Sequence, residues 1–197
     1  KYESLQKAID AAKSKAVVTM LADTRENVTI STPYNGLMLH ASAAALGGRA
    51  YLFSGPCGRG KSTHTRLWQQ TFGEAVQVFN DDKPALRRLD GRWYAYGTPW
   101  CGKDGINLNQ KWPLGGICFL EKSQENRIRR LSAAEALPLI LAQTTYRLPP
   151  QYMELLLASL DSLLREIPVF LLENRPEEAA ARLSFETMRR AAEEGGL

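Results

Sequence analysis

Apolar and polar positions alternate along the chain in two periods, which divide it into short strands and amphipathic helices. Residues 4–16 place Leu5, Ala8, Ile9 and Ala12 on one helical face, and residues 17–21 and 28–31 read as short strands. A turn over 32–36 leads into Leu37-Met38-Leu39-His40. Gly47-Gly48 then separates the small apolar run 41–46 from Ala50-Tyr51-Leu52-Phe53. That second run is apolar at successive rather than alternate positions, as a strand covered on both faces must be. A glycine-rich stretch over 55–60 follows, and residues 61–71 read as a helix with Leu67 and Trp68 turned inward.

Residues 75–79 form the next apolar run, closed by Asn80-Asp81-Asp82. Asp90-Gly91 between 85–89 and 93–96 predicts a hairpin, because both turn positions tolerate positive φ. Residues 97–105 read as a loop and 114–120 as a core strand. Ser132-Ala133-Ala134-Glu135 is a capping box that starts a helix toward Gln143. Pro149-Pro150 separates it from a helix over 151–165, residues 169–172 form a last strand, and Asn174-Arg175-Pro176-Glu177 caps a terminal helix toward Glu194. Strands interleaved with helices predict an α/β fold with a mixed sheet flanked by helices.

At 197 residues the chain suits one domain, 1–197, with its core over about 37–122 and an extension over about 132–197. Lys1 is not an initiator Met, so a preceding segment is expected. No apolar run approaches the roughly 20 residues that cross a bilayer, and the first residues lack a secretory pattern. A soluble, cytoplasmic protein with no membrane partner is therefore expected. The net charge of +4 is spread along the chain, so a nucleic-acid partner would rest on basicity alone and none is expected. Cys57, Cys101 and Cys118 lack metal-ligand spacing and read as reduced thiols. A homo-oligomer stays open among the expected partners.

Gly55-Pro56-Cys57-Gly58-Arg59-Gly60-Lys61-Ser62 carries the pattern of a triphosphate cradle between a strand and a helix. Glycines let the backbone approach phosphate closely, and the helix start adds favourable partial charge. Lys61 would reach the β- and γ-phosphates, and Ser62 would offer a hydroxyl to Mg²⁺, with Thr63 next in line. Cys57 reads as a small loop residue, and Arg59 either touches phosphate or lies in solvent. Such a site calls for ATP and Mg²⁺.

Asp81 and Asp82 close a strand about twenty positions after Lys61, where an α/β sheet presents polar groups to a ligand crevice. One carboxylate would assist the metal, with Asp82 and Ser62 the candidate ligands, and the other would accept a proton from an attacking hydroxyl. The alternative for the pair is an Asx turn at the strand end. His40 stands just before the P-loop strand, where it would orient the acceptor or serve a structural hydrogen bond. His64, inside the helix, reads as a packing residue.

Together Leu39-His40-Ala41-Ser42, Lys61-Ser62-Thr63-His64, Asn80-Asp81-Asp82-Lys83-Pro84 and Tyr96-Gly97-Thr98-Pro99-Trp100-Cys101-Gly102-Lys103 resemble the HPr kinase and phosphoenolpyruvate carboxykinase superfamily, especially its small HPr-kinase-like bacterial members. A weaker echo lies in Ile167-Pro168-Val169-Phe170 and Arg175-Pro176-Glu177-Glu178. The resemblance implies a single-domain P-loop kinase core in which His40, Lys61, Ser62, Asp81 and Asp82 match functional positions. An HPr kinase carries an acidic residue directly after its P-loop Ser, where Thr63 and His64 stand here, which points away from HPr itself as acceptor. The expected activity is ATP-dependent phosphoryl transfer to a hydroxyl of a peptide serine, an amino acid or another small alcohol. The alternative is a non-catalytic ATP-binding regulatory protein.

Overall fold

The computed structural model describes residues 36–144 and 153–197. The segments predicted over 4–16, 17–21 and 28–31, most of the turn before Leu37, and Pro149-Pro150 lie outside the described residues. The described elements run β1 (Gly36–Met38), β2 (Ala41–Leu46), β3 (Arg49–Ser54), α1 (Lys61–Phe72), β4 (Gln77–Asn80), β5 (Ala85–Leu89), β6 (Arg92–Tyr96) and β7 (Lys111–Lys122). After them come β8 (Arg127–Arg130), α2 (Ala133–Gln143), α3 (Met153–Glu166), β9 (Val169–Asn174) and α4 (Glu178–Glu194).

Strand β7 organises the sheet. Its first residues pair antiparallel with β6, which continues the hairpin to β5 and β1. Farther along it pairs in parallel with β3 on one side and β9 on the other. β2 and then β4 extend the sheet beyond β3, and β8 borders β9, all antiparallel. The sheet is thus mixed and flanked by helices, as the alternation predicts.

The apolar run of β3 is buried on both faces. Leu52 and Ile117 point to one layer, with Ala136 and Ile140 of α2 and Leu156, Leu160 and Leu163 of α3. Tyr51, Phe53 and Cys118 point to the other, with Trp68 of α1 and Ala181 and Met188 of α4. Successive residues of a strand point to opposite faces, so neither face tolerates a polar side chain without a partner. Trp68 is fully buried, stacks edge-on against Phe53 at 5.0 Å and donates its Nε1–H to Ser184 Oγ at 2.9 Å. These contacts clamp α1, and the loop that precedes it, against the sheet.

Two details differ from expectation. β8 has no counterpart among the predicted strands, because Arg127-Ile128-Arg129-Arg130 offers one apolar residue among three cations. Such charge is how an edge strand avoids pairing with other chains. Residue Glu177 does occupy the N-cap of α4, yet makes no side-chain cap bond. Its carboxylate instead meets Arg175 Nε at 2.9 Å and accepts from Asn126.

Candidate functional site

Ser54 ends β3 and the glycine-rich loop begins there. Gly58 and Gly60 take φ of +80° and +95°, a region strained for any residue with a Cβ. Gly60 is also the N-cap of α1, so the loop turns directly into a helix start whose first N–H groups lack intrahelical partners. The Lys61 ammonium curls back inside the loop and donates to Gly55 O at 2.9 Å and Pro56 O at 3.3 Å. Burial holds it below the ordinary lysine range, an effect opposed by the nearby Cys57, Asp81 and Asp82. Lys61 and the acidic pair therefore share one electrostatic environment.

Asp81 and Asp82 sit immediately beyond β4, held by a network around Asn80. The Asn80 Oδ1 accepts from Asp82 N at 3.3 Å and Lys83 N at 2.9 Å, an Asx turn. Its Nδ2 donates to Thr98 O and Trp100 O, each at 3.0 Å, and so fastens the 97–105 loop to the strand end. The Asx turn expected as the alternative for this strand end is thus present, made by Asn80, with the acidic pair inside it. Asp81 is buried, and its Oδ1 has no hydrogen-bond partner. Asp82 is half-buried, with Lys83 Nζ 3.4 Å from Oδ2 and His40 Nε2 3.9 Å from Oδ1.

His40 falls in the break between β1 and β2, and three contacts fix it. Its backbone N–H donates to Gln143 O at 2.9 Å, its Nδ1 pairs with Gln143 Oε1 at 3.0 Å, and its carbonyl accepts from Ser54 Oγ at 2.9 Å. The last bond ties His40 to the base of the glycine-rich loop. Ala41 N also donates to Asp82 O at 2.9 Å, which pins this break against the acidic pair. One corner of the sheet thus brings together the glycine-rich loop, Lys61, Asp81, Asp82 and His40.

The chain matches no protein-family profile and no curated protein. Among solved structures it is similar to the HPr(Ser) kinase/phosphatase from Coxiella burnetii, at 14% identity and a TM-score of 0.45, over 78% of this chain and 88% of that one. What this corner can do is read from its own side chains.

Ser62 is half-buried at the start of α1, while Pro56, Cys57, Gly58, Arg59 and Thr63 are exposed around the loop. A hydroxyl and carboxylates are the hard oxygen donors that Mg²⁺ takes, usually one or two from protein with phosphate oxygens and water completing the shell. Among the described residues no group of three or more His, Cys, Asp and Glu side chains could hold a metal ion by itself, so phosphate would have to complete the set. The unpartnered Asp81 Oδ1 adds a carboxylate oxygen still lacking a proton donor or cation. By donor type, the Ser62 hydroxyl and the half-buried Asp82 carboxylate fit that metal. No helix among the described residues is long and apolar enough to cross a membrane.

Some neighbours of the site had no signal in the sequence. Gln143 meets His40 from 103 positions away, and Arg66 of α1 forms an ion pair with Asp104 that ties the 97–105 loop to α1. Beside the glycine-rich loop, a cavity of about 430 Å³ is walled partly by Lys122–Gln124 and Asn174–Pro176. The second of these stretches belongs to the expected helix cap and, at Arg175-Pro176, to the weaker family echo.

His64 is structural. It is buried, faces Phe53 at 4.5 Å, meets Ser184 Oγ through Nε2 at 3.0 Å, and burial pushes its pKa down to about 4. The unfolded chain binds a proton near pH 6.5, which the folded protein does not bind until about pH 4. Its contribution is therefore complete above pH 6.5 and is lost as pH falls toward 4. The expected total is roughly 3 kcal/mol. Urea unfolding of the protein and of His64→Gln across this range measures it, and the same pH slope in both would overturn the assignment.

Proposed function

We propose that this protein is an ATP-dependent phosphotransferase that moves the γ-phosphoryl group to a hydroxyl. The observation that carries the reading is the convergence of Lys61, held within the curve of the glycine-rich loop, with Asp81 and Asp82. The loop N–H groups and helix start favour phosphate, and the Lys61 ammonium would leave its carbonyl partners for the β- and γ-phosphate oxygens. Ser62 and Asp82 would hold Mg²⁺, Asp82 because it is the more exposed carboxylate and its contacts at 3.4 and 3.9 Å leave its oxygens accessible. Bound there, the ion supplies charge neutralisation at the phosphate oxygens.

Asp81 is the base in this reading. It lies against the 97–105 loop, since a Cβ on Gly102 would stand 2.5 Å from Asp81 O and 3.2 Å from Asp81 Oδ2. That loop carries exposed Trp100, Cys101 and Lys103, side chains suited to meeting an acceptor. The acceptor oxygen would form a bond to the γ-phosphorus, the bond to the β-γ bridging oxygen would break, and Asp81 would take the hydroxyl proton. His40, held by Gln143, backs Asp82. The acceptor class is a peptide serine, an amino acid or another small alcohol.

The test is ATP turnover with Mg²⁺ across these acceptor classes, followed as ADP and phosphorylated product. Acceptor-dependent ADP formation is expected. ATP binding with no product from any acceptor class would favour a nucleotide-sensing protein, and absence of ATP binding would remove both readings.

The close approach of Gly102 gives a second expectation. An alanine there must push either the loop or Asp81 out of place, and a displacement of about 1 Å can cost on the order of a hundredfold in rate. Gly102→Ala should lower turnover tenfold or more and leave ATP affinity within a few fold, because the glycine lies outside the phosphate loop. Turnover equal to that of the unaltered protein would separate the 97–105 loop from the chemistry.

A further inference from the structure

Lys83 follows the acidic pair directly and precedes Pro84. Its N–H donates to Asn80 Oδ1 at 2.9 Å, its carbonyl accepts from Thr98 Oγ1 at 2.7 Å, and the proline after it disfavours a helical backbone at residue 83. Only the side chain is left to move. It is half-buried, and among the described residues its one ion pair is with Asp82, the ammonium standing 3.4 Å from Oδ2.

That distance decides what kind of partner Lys83 is. A tight hydrogen bond between an ammonium and a carboxylate is about 2.7–2.9 Å long. Lys83 therefore attracts Asp82 without being bonded hard to it, and its flexible stem lets the ammonium swing away. His40 has no such freedom. Its Nδ1 and N–H are held by Gln143 and its carbonyl by Ser54, so the ring that stands 3.9 Å from the other oxygen of Asp82 stays in place. A second cation arriving at Asp82 displaces Lys83.

We infer that Lys83 is a positioning residue that acts through Asp82: it is the counter-ion of that carboxylate before metal binds, and it yields the carboxylate to Mg²⁺ when nucleotide arrives. The inference rests on the phosphate-cradle reading with Asp82 as the carboxylate toward the metal. Two cations on one carboxylate repel each other, so binding of Mg²⁺ costs the Lys83 pair. Lys83 thus sets how strongly ATP binding depends on the metal. The displaced ammonium is not stranded, because ATP carries more negative charge than one Mg²⁺ cancels, which leaves anionic oxygens to receive it. A competitor also has the opposite signature from a ligand. Removing a metal ligand lowers the metal dependence of ATP binding, as expected for Asp82→Asn, whereas removing a competitor raises it.

Calorimetric titration of the full chain with ATP, with and without Mg²⁺, reads that dependence as the ratio of the two affinities. Lys83→Gln, which keeps a polar side chain but loses the charge, should raise the ratio about two- to fivefold, the range an ion pair of this exposure supports. Lys83→Arg keeps the charge and can grip a carboxylate with two donors, so it should leave the ratio unchanged or lower it. In the Asp82→Asn background, Lys83→Gln should not move the ratio, because the competitor then has no carboxylate to compete for. Neither substitution at residue 83 removes its backbone bonds, and thermal unfolding beside the titrations checks that the fold is intact. A ratio that is unchanged or falls in Lys83→Gln, or that rises as much in the Asp82→Asn background, would overturn the role of Lys83 and leave the phosphate cradle standing. Failure of ATP to bind the unaltered protein, or indifference of that binding to Mg²⁺, would remove the inference together with the reading it rests on.

Discussion

Replacing Lys61 with alanine is expected to reduce phosphoryl transfer on the order of a hundredfold or more and to weaken ATP binding, the scale on which a preorganised charge-stabilising donor acts. The ammonium already sits within the loop, bonded to Gly55 O and Pro56 O, so little reorganisation separates its resting place from a bound phosphate. Those bonds are two contacts of the loop, one part-buried and one exposed, rather than core packing, and truncation should move the unfolding midpoint by no more than a few degrees. Thermal unfolding measured beside turnover separates loss of function from loss of fold. Unchanged affinity and turnover in Lys61→Ala would sink the phosphate-cradle reading.

Much of the fold was legible because the signals were local. Gly47-Gly48 takes φ of +60° and +79°, and Asp90-Gly91 takes +49° and +81°, so both hairpins follow from residues that tolerate this backbone. The capping box at Ser132 forms with both of its bonds. Runs of apolar residues marked the central strands because those are buried on both faces. β8 was invisible for the opposite reason, since an edge strand needs only one partner and keeps its charge toward water.

The candidate site was legible in its parts but not in its assembly. Glycine spacing, Lys61 and the Asp81-Asp82 pair each stand out along the chain, yet periodicity cannot say that β2 and β4 are neighbours. That pairing brings His40 within 3.9 Å of Asp82. Contacts made across long separations left no trace: Gln143 on His40, Asp104 on Arg66, and the meeting of the β7 and β9 ends around the cavity. Each joins ordinary polar residues whose spacing has no period. The Asn80 side chain is a partial exception, because an Asn before an acidic pair is itself a turn signal.

Substitution of the acidic pair separates transfer from binding, because a protein that only binds nucleotide has no use for a base beside the γ-phosphate. Asp81→Asn keeps the size of the side chain but cannot accept a proton. It should nearly abolish product formation while ATP affinity stays within a few fold. Its neighbour should behave differently. Asp82→Asn should also lose transfer, and in addition the dependence of ATP binding on Mg²⁺ should largely disappear, since Asp82 is the accessible carboxylate beside His40 and Lys83. Calorimetric titration of ATP with and without Mg²⁺, run alongside product formation, reads both effects on the same preparations. Asn80 Oδ1 accepts from the backbone N–H groups of Asp82 and Lys83 and not from the Asp side chains, so both variants should keep the turn intact. If Asp81→Asn alone removes the Mg²⁺ dependence, the two roles exchange places. Full transfer by both variants would refute the mechanism and leave a nucleotide-binding corner without a base.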